Sequence, residues 1–118
     1  MTTKNKQGWI GVDLDGTLAE YHGWKGAGHI GKPIPKMLER VKQWLKEGRD
    51  VRIFTARVGI PPGPERANVE ATIFTWCRAY LGQALPVTAT KDLKMTALWD
   101  DRCVQVVPNT GERVDGGV

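Results

Sequence analysis

The chain has 118 residues, 41% of them hydrophobic, and carries 17 basic against 13 acidic residues for a formal net charge of +4. That length suits one domain around a single core, residues 1–118, with 1–7 and 115–118 expected to be flexible. The mild charge bias holds no block of like charges, so an anionic substrate is compatible and a dedicated nucleic-acid surface is not indicated; no apolar window suits a membrane span or a signal peptide, and the expectation is a soluble cytoplasmic protein.

Trp9 to Leu14 (WIGVDL) is a short apolar, β-prone run that reads as a buried strand, with Gly16 as the punctuation after it. The next stretch, AEYHGWKGAGHIGK, has no period and four glycines, and reads as a long loop or small flap. From Ile34 the apolar residues Met37, Leu38, Val41, Trp44 and Leu45 follow helical spacing, predicting an amphipathic helix that ends at Gly48. Val51 to Thr55 (VRIFT) predicts a second strand. After the turn IPPGP, Pro64 suits the first turn of another helix, in which Val69, Ile73, Trp76, Cys77 and Tyr80 repeat before Gly82. Pro86 to Thr90 and Ala97 to Asp100 predict two more strands, the latter resuming over Cys103 to Val107, and PNTG predicts a turn of a terminal hairpin. Cys77 and Cys103 show neither metal-site nor disulfide spacing and read as small buried apolar residues.

Alternating strands and helices imply βαβ units and a mostly parallel, Rossmann-like sheet covered on both faces. Sites in such sheets form beyond the carboxyl ends of the strands. Those ends carry Asp13 and Asp15, then Thr55, then Lys91, then Asp100 and Asp101. So many carboxylates at one rim are unfavourable unless protons or a cation neutralise them, and Mg²⁺ suits hard carboxylate ligands completed by water and a substrate phosphate. A carboxylate can also attack phosphorus. Asp13 is the candidate nucleophile, Asp15 the candidate acid and base, and Thr55 with a lysine the groups that steady the phosphoryl oxygens.

The motifs DLDGTLA (Asp13–Ala19 with its preceding strand), FTAR (Phe54–Arg57) and LWDDR (Leu98–Arg102) stand in the order of the haloacid dehalogenase superfamily, which the chain resembles over most of its length. The resemblance implies a three-layer α/β fold and a phosphatase working through an aspartyl-phosphate on Asp13. It implies metal binding by Asp13, the Asp15 carbonyl, Asp100 and Asp101, and phosphoryl binding by Thr55, with Gly16, Thr17, Ala56 and Arg57 as substrate-binding neighbours. Two lysines compete for the family's cationic position, and Lys91, directly after a strand, is preferred to Lys94. The spacings leave no room for a cap domain, so specificity falls to the loop Glu20–Lys32, to Arg57–Asn68 or to a neighbouring subunit in a homo-oligomer. A small phosphorylated molecule is the expected substrate, and an open site also admits a macromolecular phosphate.

Competing readings are weaker. Asp and Gly are common turn residues, so Asp13 and Asp15 alone also read as a strand end. GAGHIGKP resembles part of a phosphate-binding loop, but Pro33 stands where the magnesium-binding hydroxyl belongs. Trp24 reads as a loop anchor or a stacking platform, Arg57 and Arg102 as substrate contacts or partners of the acids, and His22 and His29 as exposed loop residues. A receiver domain places its phosphorylated Asp on a middle strand rather than the first. The alternative from another class is a non-catalytic protein that keeps the rim to bind magnesium and a phosphorylated ligand.

Overall fold

The computed structural model describes residues 8–118; the expected flexibility of 1–7 concerns positions outside the described residues. The elements are β1 (Trp9–Val12), α1 (Pro35–Lys46), β2 (Asp50–Phe54), a 3₁₀ turn (Ala56–Val58), α2 (Pro64–Leu81), β3 (Val87–Thr88) and β4 (Met95–Trp99). They form an α/β, Rossmann-like fold whose four strands are all parallel in the order β3-β2-β1-β4. Among the described residues no helix is long and apolar enough to cross a membrane.

The helices start and stop where local chemistry dictates. Proline opens each, with its ring fixing φ and no N–H left without an acceptor. Gly82 ends α2 in the left-handed region at φ 81°, where its N–H reaches the Arg78 carbonyl. Met37 and Val41 of α1 and Val69, Ile73, Trp76 and Cys77 of α2 join Ile10, Val12, Leu14, Val51 and Ile53 in one core. The shared core follows from the topology: right-handed crossovers from β1 to β2 and onward to β3 run in one direction across the sheet, so both helices land on one face.

The opposite face is built differently. Trp9, alternating with Ile10 along β1, is buried away from the main core, with the Arg52 guanidinium 4.6 Å from its ring centroid. Because β3 and β4 lie at opposite edges, residues 89–94 must cross this face, and the Trp9 indole donates to Asp92 Oδ1 there at 2.9 Å. The third layer is therefore an extended strap instead of a helix.

Several boundaries differ from the sequence expectation. β1 stops at Val12 because Leu14 turns inward, its carbonyl accepting from the N–H groups of Thr17, Leu18 and Ala19. β3 holds only Val87 and Thr88, and β4 begins earlier, at Met95. Cys103–Val107 is not a sheet strand: after the turn at Asp101 and Arg102 the chain leaves the sheet edge and pairs with itself around PNTG, Val107 N–H donating to Glu112 O and Val114 N–H to Gln105 O. Cys103 is exposed, correcting the buried reading, whereas Cys77 is fully buried. The segment 115–118, expected to fray, is exposed, and Asp115 accepts from the Arg113 guanidinium and the Gly117 N–H.

Candidate active site

The carboxyl ends of β1, β2 and β4 open into a cleft of about 760 Å³ that includes Asp13, Asp15, Thr55, Asp100 and Asp101 in its lining. Parallel pairing produces this convergence. Val12 lies in register with Ile53 on one side and Trp99 on the other, so the residues that follow each strand emerge together.

Asp13, Asp100 and Asp101 each offer a carboxylate oxygen, all within 4.8 Å of one another. Burial, the Asp100 charge, and the hydrogen bond and charge of Asp101 raise the Asp13 carboxyl from 3.8 to about 7, against a smaller lowering by the Thr17 hydroxyl. Thr17 ties the cluster together: its Oγ1 lies 3.3 Å from Asp13 Oδ2 and 3.2 Å from Asp101 Oδ1, and it accepts from the Asp101 N–H at 3.0 Å. One hydroxyl proton serves only one of those carboxylates at a time. Gly16 is required here, since at φ 90° a side chain is strained and a Cβ would meet Asp101 Oδ2 at 2.5 Å.

Asp15 has a different environment. Arg57 grips it through Nε to Oδ2 at 2.7 Å and Nη2 to Oδ1 at 2.8 Å, the two-pronged geometry that suits guanidinium and carboxylate. The same guanidinium donates to the carbonyls of Ala27 and His29, which fastens the Glu20–Lys32 loop to the rim. The carboxylate of Asp15 is thus separate from the acidic triad.

Thr55 is 3% exposed, and its hydroxyl accepts from the Arg57 N–H at the start of the 3₁₀ turn. Ala56 also lines the cleft. Neither lysine does among the described residues. Lys91 is exposed on the strap, and Lys94 lies at the amino end of the sheet, where its carbonyl accepts from Trp9 N–H. Among the described residues the cations lining the cleft are Arg57 and Arg102, and the Arg102 backbone N–H donates to Asp100 Oδ1 at 2.7 Å.

Tyr21 and Phe54 line the cleft, although neither has a site role from the sequence alone and Phe54 enters there only as the first residue of the FTAR motif. The aperiodic loop around Tyr21 offered no signal, and Phe54 read as one more strand residue. Cys103 also lies near the triad: its thiol is held above its usual range by partial desolvation first, then by Asp100, Asp13 and Asp101. His22 is exposed beside Glu20. The GAGHIGK stretch follows no strand, and its Gly31 carbonyl accepts from the Trp76 indole, so it forms part of the loop instead of a phosphate cradle.

No family model matches the chain, and no curated protein matches it. Among solved structures, a conserved protein from Bacteroides thetaiotaomicron is similar, with a TM-score of 0.56 and 24% sequence identity over 86% of this chain and 82% of that one. This likeness shows the fold.

Proposed function

We propose that the protein is a Mg²⁺-dependent phosphomonoesterase of the haloacid dehalogenase type, with Asp13 as nucleophile. The observation that carries this reading is the convergence of Asp13, Asp100 and Asp101 in one cleft with the buried Thr55. The donor set fits Mg²⁺: three hard oxygen ligands stand together, and burial followed by the neighbouring acids makes Asp13 resist ionisation, a cost that a bound cation would offset. When bound, Mg²⁺ supplies positive charge that screens the carboxylates from each other and from the incoming phosphoryl oxygens.

Asp13 attacks phosphorus to form an acyl phosphate as the ester oxygen departs. The Thr55 hydroxyl and the Arg102 side chain are the chain's own groups for the phosphoryl oxygens, with Arg102 taking the role assigned to lysine by the sequence resemblance. Asp15 acts on the leaving group and then on water. Both of its oxygens accept from Arg57, and each keeps a lone pair for a water proton. Donation to the leaving group requires it to yield one of those bonds.

A second reading has its own support. No lysine lines the cleft among the described residues, and Asp15 is engaged, as suits a protein that binds a phosphorylated ligand without turning it over. Phosphate release from a panel of phosphomonoesters, with Mg²⁺ or chelator, separates the two. Release that needs Mg²⁺ and disappears in Asp13→Asn supports the phosphatase; ligand binding without release supports the binding protein.

A further inference from the structure

Beyond the acidic end, the cleft is walled by Tyr21, Trp24 and Phe54. Tyr21 is 47% exposed and Trp24 59%. A tryptophan that merely anchored a loop would bury its ring, because burial is what makes it an anchor. Trp24 instead has the Arg57 guanidinium 4.9 Å from its ring centroid and most of its surface open.

That ring is held in place. Arg57 is fixed by its two bonds to Asp15 and donates to Ala27 O and His29 O, while Glu20 N–H donates to Lys32 O at 2.8 Å and the Trp76 indole to Gly31 O at 2.9 Å. A smaller cavity of about 240 Å³ adjoins on the same loop. It shares Asp15, Tyr21 and Arg57 with the cleft, and adds the polar groups of His22, Lys25 and Lys32.

We propose that Trp24 is the platform of the leaving-group subsite, and that the substrate is a phosphomonoester of the nucleoside 5′-monophosphate class whose base stacks on the open indole surface. This substrate assignment rests on the phosphatase reading. A planar base matches the exposed ring, since every base has a π-face to offer. The His22, Lys25 and Lys32 groups on the wall of the adjoining cavity offer hydrogen bonds to the edges of a base or to a ribose, which an apolar aryl group could not use. Arg57 positions the platform and Asp15 together, so loop placement and chemistry share one support.

The test compares phosphate release from adenosine 5′-monophosphate, phenyl phosphate and glycerol 3-phosphate at saturating Mg²⁺. The expected kcat/KM is highest for the nucleotide. In Trp24→Ala the nucleotide-to-glycerol-phosphate ratio falls about tenfold, mainly through KM, as loss of a base–aromatic stack requires, and Trp24→Phe restores most of it. Equal ratios in the native protein, or a ratio unmoved by Trp24→Ala, overturn the platform and leave the phosphatase standing. Phenyl phosphate matching the nucleotide overturns the nucleoside assignment. Calorimetry of the nucleotide with Asp13→Asn distinguishes the two failures: binding weakened about tenfold by adding Trp24→Ala supports the platform even where no ester is hydrolysed, and no nucleotide binding overturns it.

Discussion

Two carboxylates two positions apart on one strand end, Asp13 and Asp15, have been given opposite solutions to the same electrostatic problem. Asp15 has a built-in counter-ion, the Arg57 guanidinium, on both of its oxygens. Asp13 faces two further acids and is raised to about 7. The same fold set a largely buried arginine against one carboxylate and two further acids against the other. An internal ion pair fixes a structure, whereas an uncompensated acidic cluster is ready for an exchangeable cation. On the proposed reading, the Arg57 side holds the loop and orients Asp15, and the Asp13 side takes the metal and the phosphoryl group.

The sharpest way to break this contrast is Asp13→Asn. Phosphate release is expected to fall by at least roughly a thousandfold, because an amide neither attacks phosphorus nor completes the cluster. Thermal melts in chelator at pH 8 should show no loss of stability, since one of three mutually repelling charges has gone; a large drop in Tm would mean that Asp13 is structural.

Arg57→Ala attacks the other side. It strands the Asp15 carboxylate, releases Ala27 and His29, and removes a side chain only 6% exposed. Since Asp15 is 21% exposed and water relieves part of the stranded charge, we expect about 2 kcal/mol of lost stability in urea unfolding. A loss near zero would show that the ion pair is ornamental and undo the comparison.

The pH dependence of metal binding sharpens it further. Asp13 has a folded pKa of about 7 against 3.8 for the free side chain, so without metal its charging opposes folding. The penalty is absent below the lower value, grows between the two and is complete above about 7. A cation binds the ionised form, so Mg²⁺ affinity measured by calorimetry should rise by roughly tenfold or more from pH 5.5 to pH 8, and its stabilisation of the fold should rise with it. A flat profile would place the metal elsewhere or remove it. Asp13→Asn should flatten the profile.

The smallest expected effect is that of Thr17→Val, which removes the hydroxyl bridging Asp13 and Asp101 while keeping the side chain's shape. We expect a cost of about 1 kcal/mol in stability and a few-fold weaker Mg²⁺ binding. Unchanged values for both would mean that the backbone alone sets the triad.

Much of this arrangement was legible in the chain, and the illegible parts have specific causes. Both helices could be placed from the spacing of their apolar residues and from Pro64, Gly48 and Gly82. The rim could be placed because parallel strands end on one side. β3 was overextended because PVTAT is β-prone throughout while only Val87 and Thr88 have a partner in register. CVQVV looked like a strand for the same reason, and pairing with its own hairpin decided otherwise. The exposure of Cys103 follows from that departure. The preference for Lys91 rested on its position after a strand, yet the strap turns across the sheet there and takes it out of the cleft. The Arg57 grip spans 42 positions in sequence, and nothing in FTAR distinguishes an arginine facing substrate from one facing Asp15.

What the sequence determined by itself was the alternation of strand and helix, the parallel sheet and the set of acids delivered to its carboxyl edge, because hydrophobic period and turn chemistry are local properties. Only the tertiary structure decided which of those acids acquired a partner, which cations reached the cleft and which aromatic rings stayed open. Those outcomes depend on where distant segments cross, and crossing is set by strand order and register, which residue spacing along one segment does not encode.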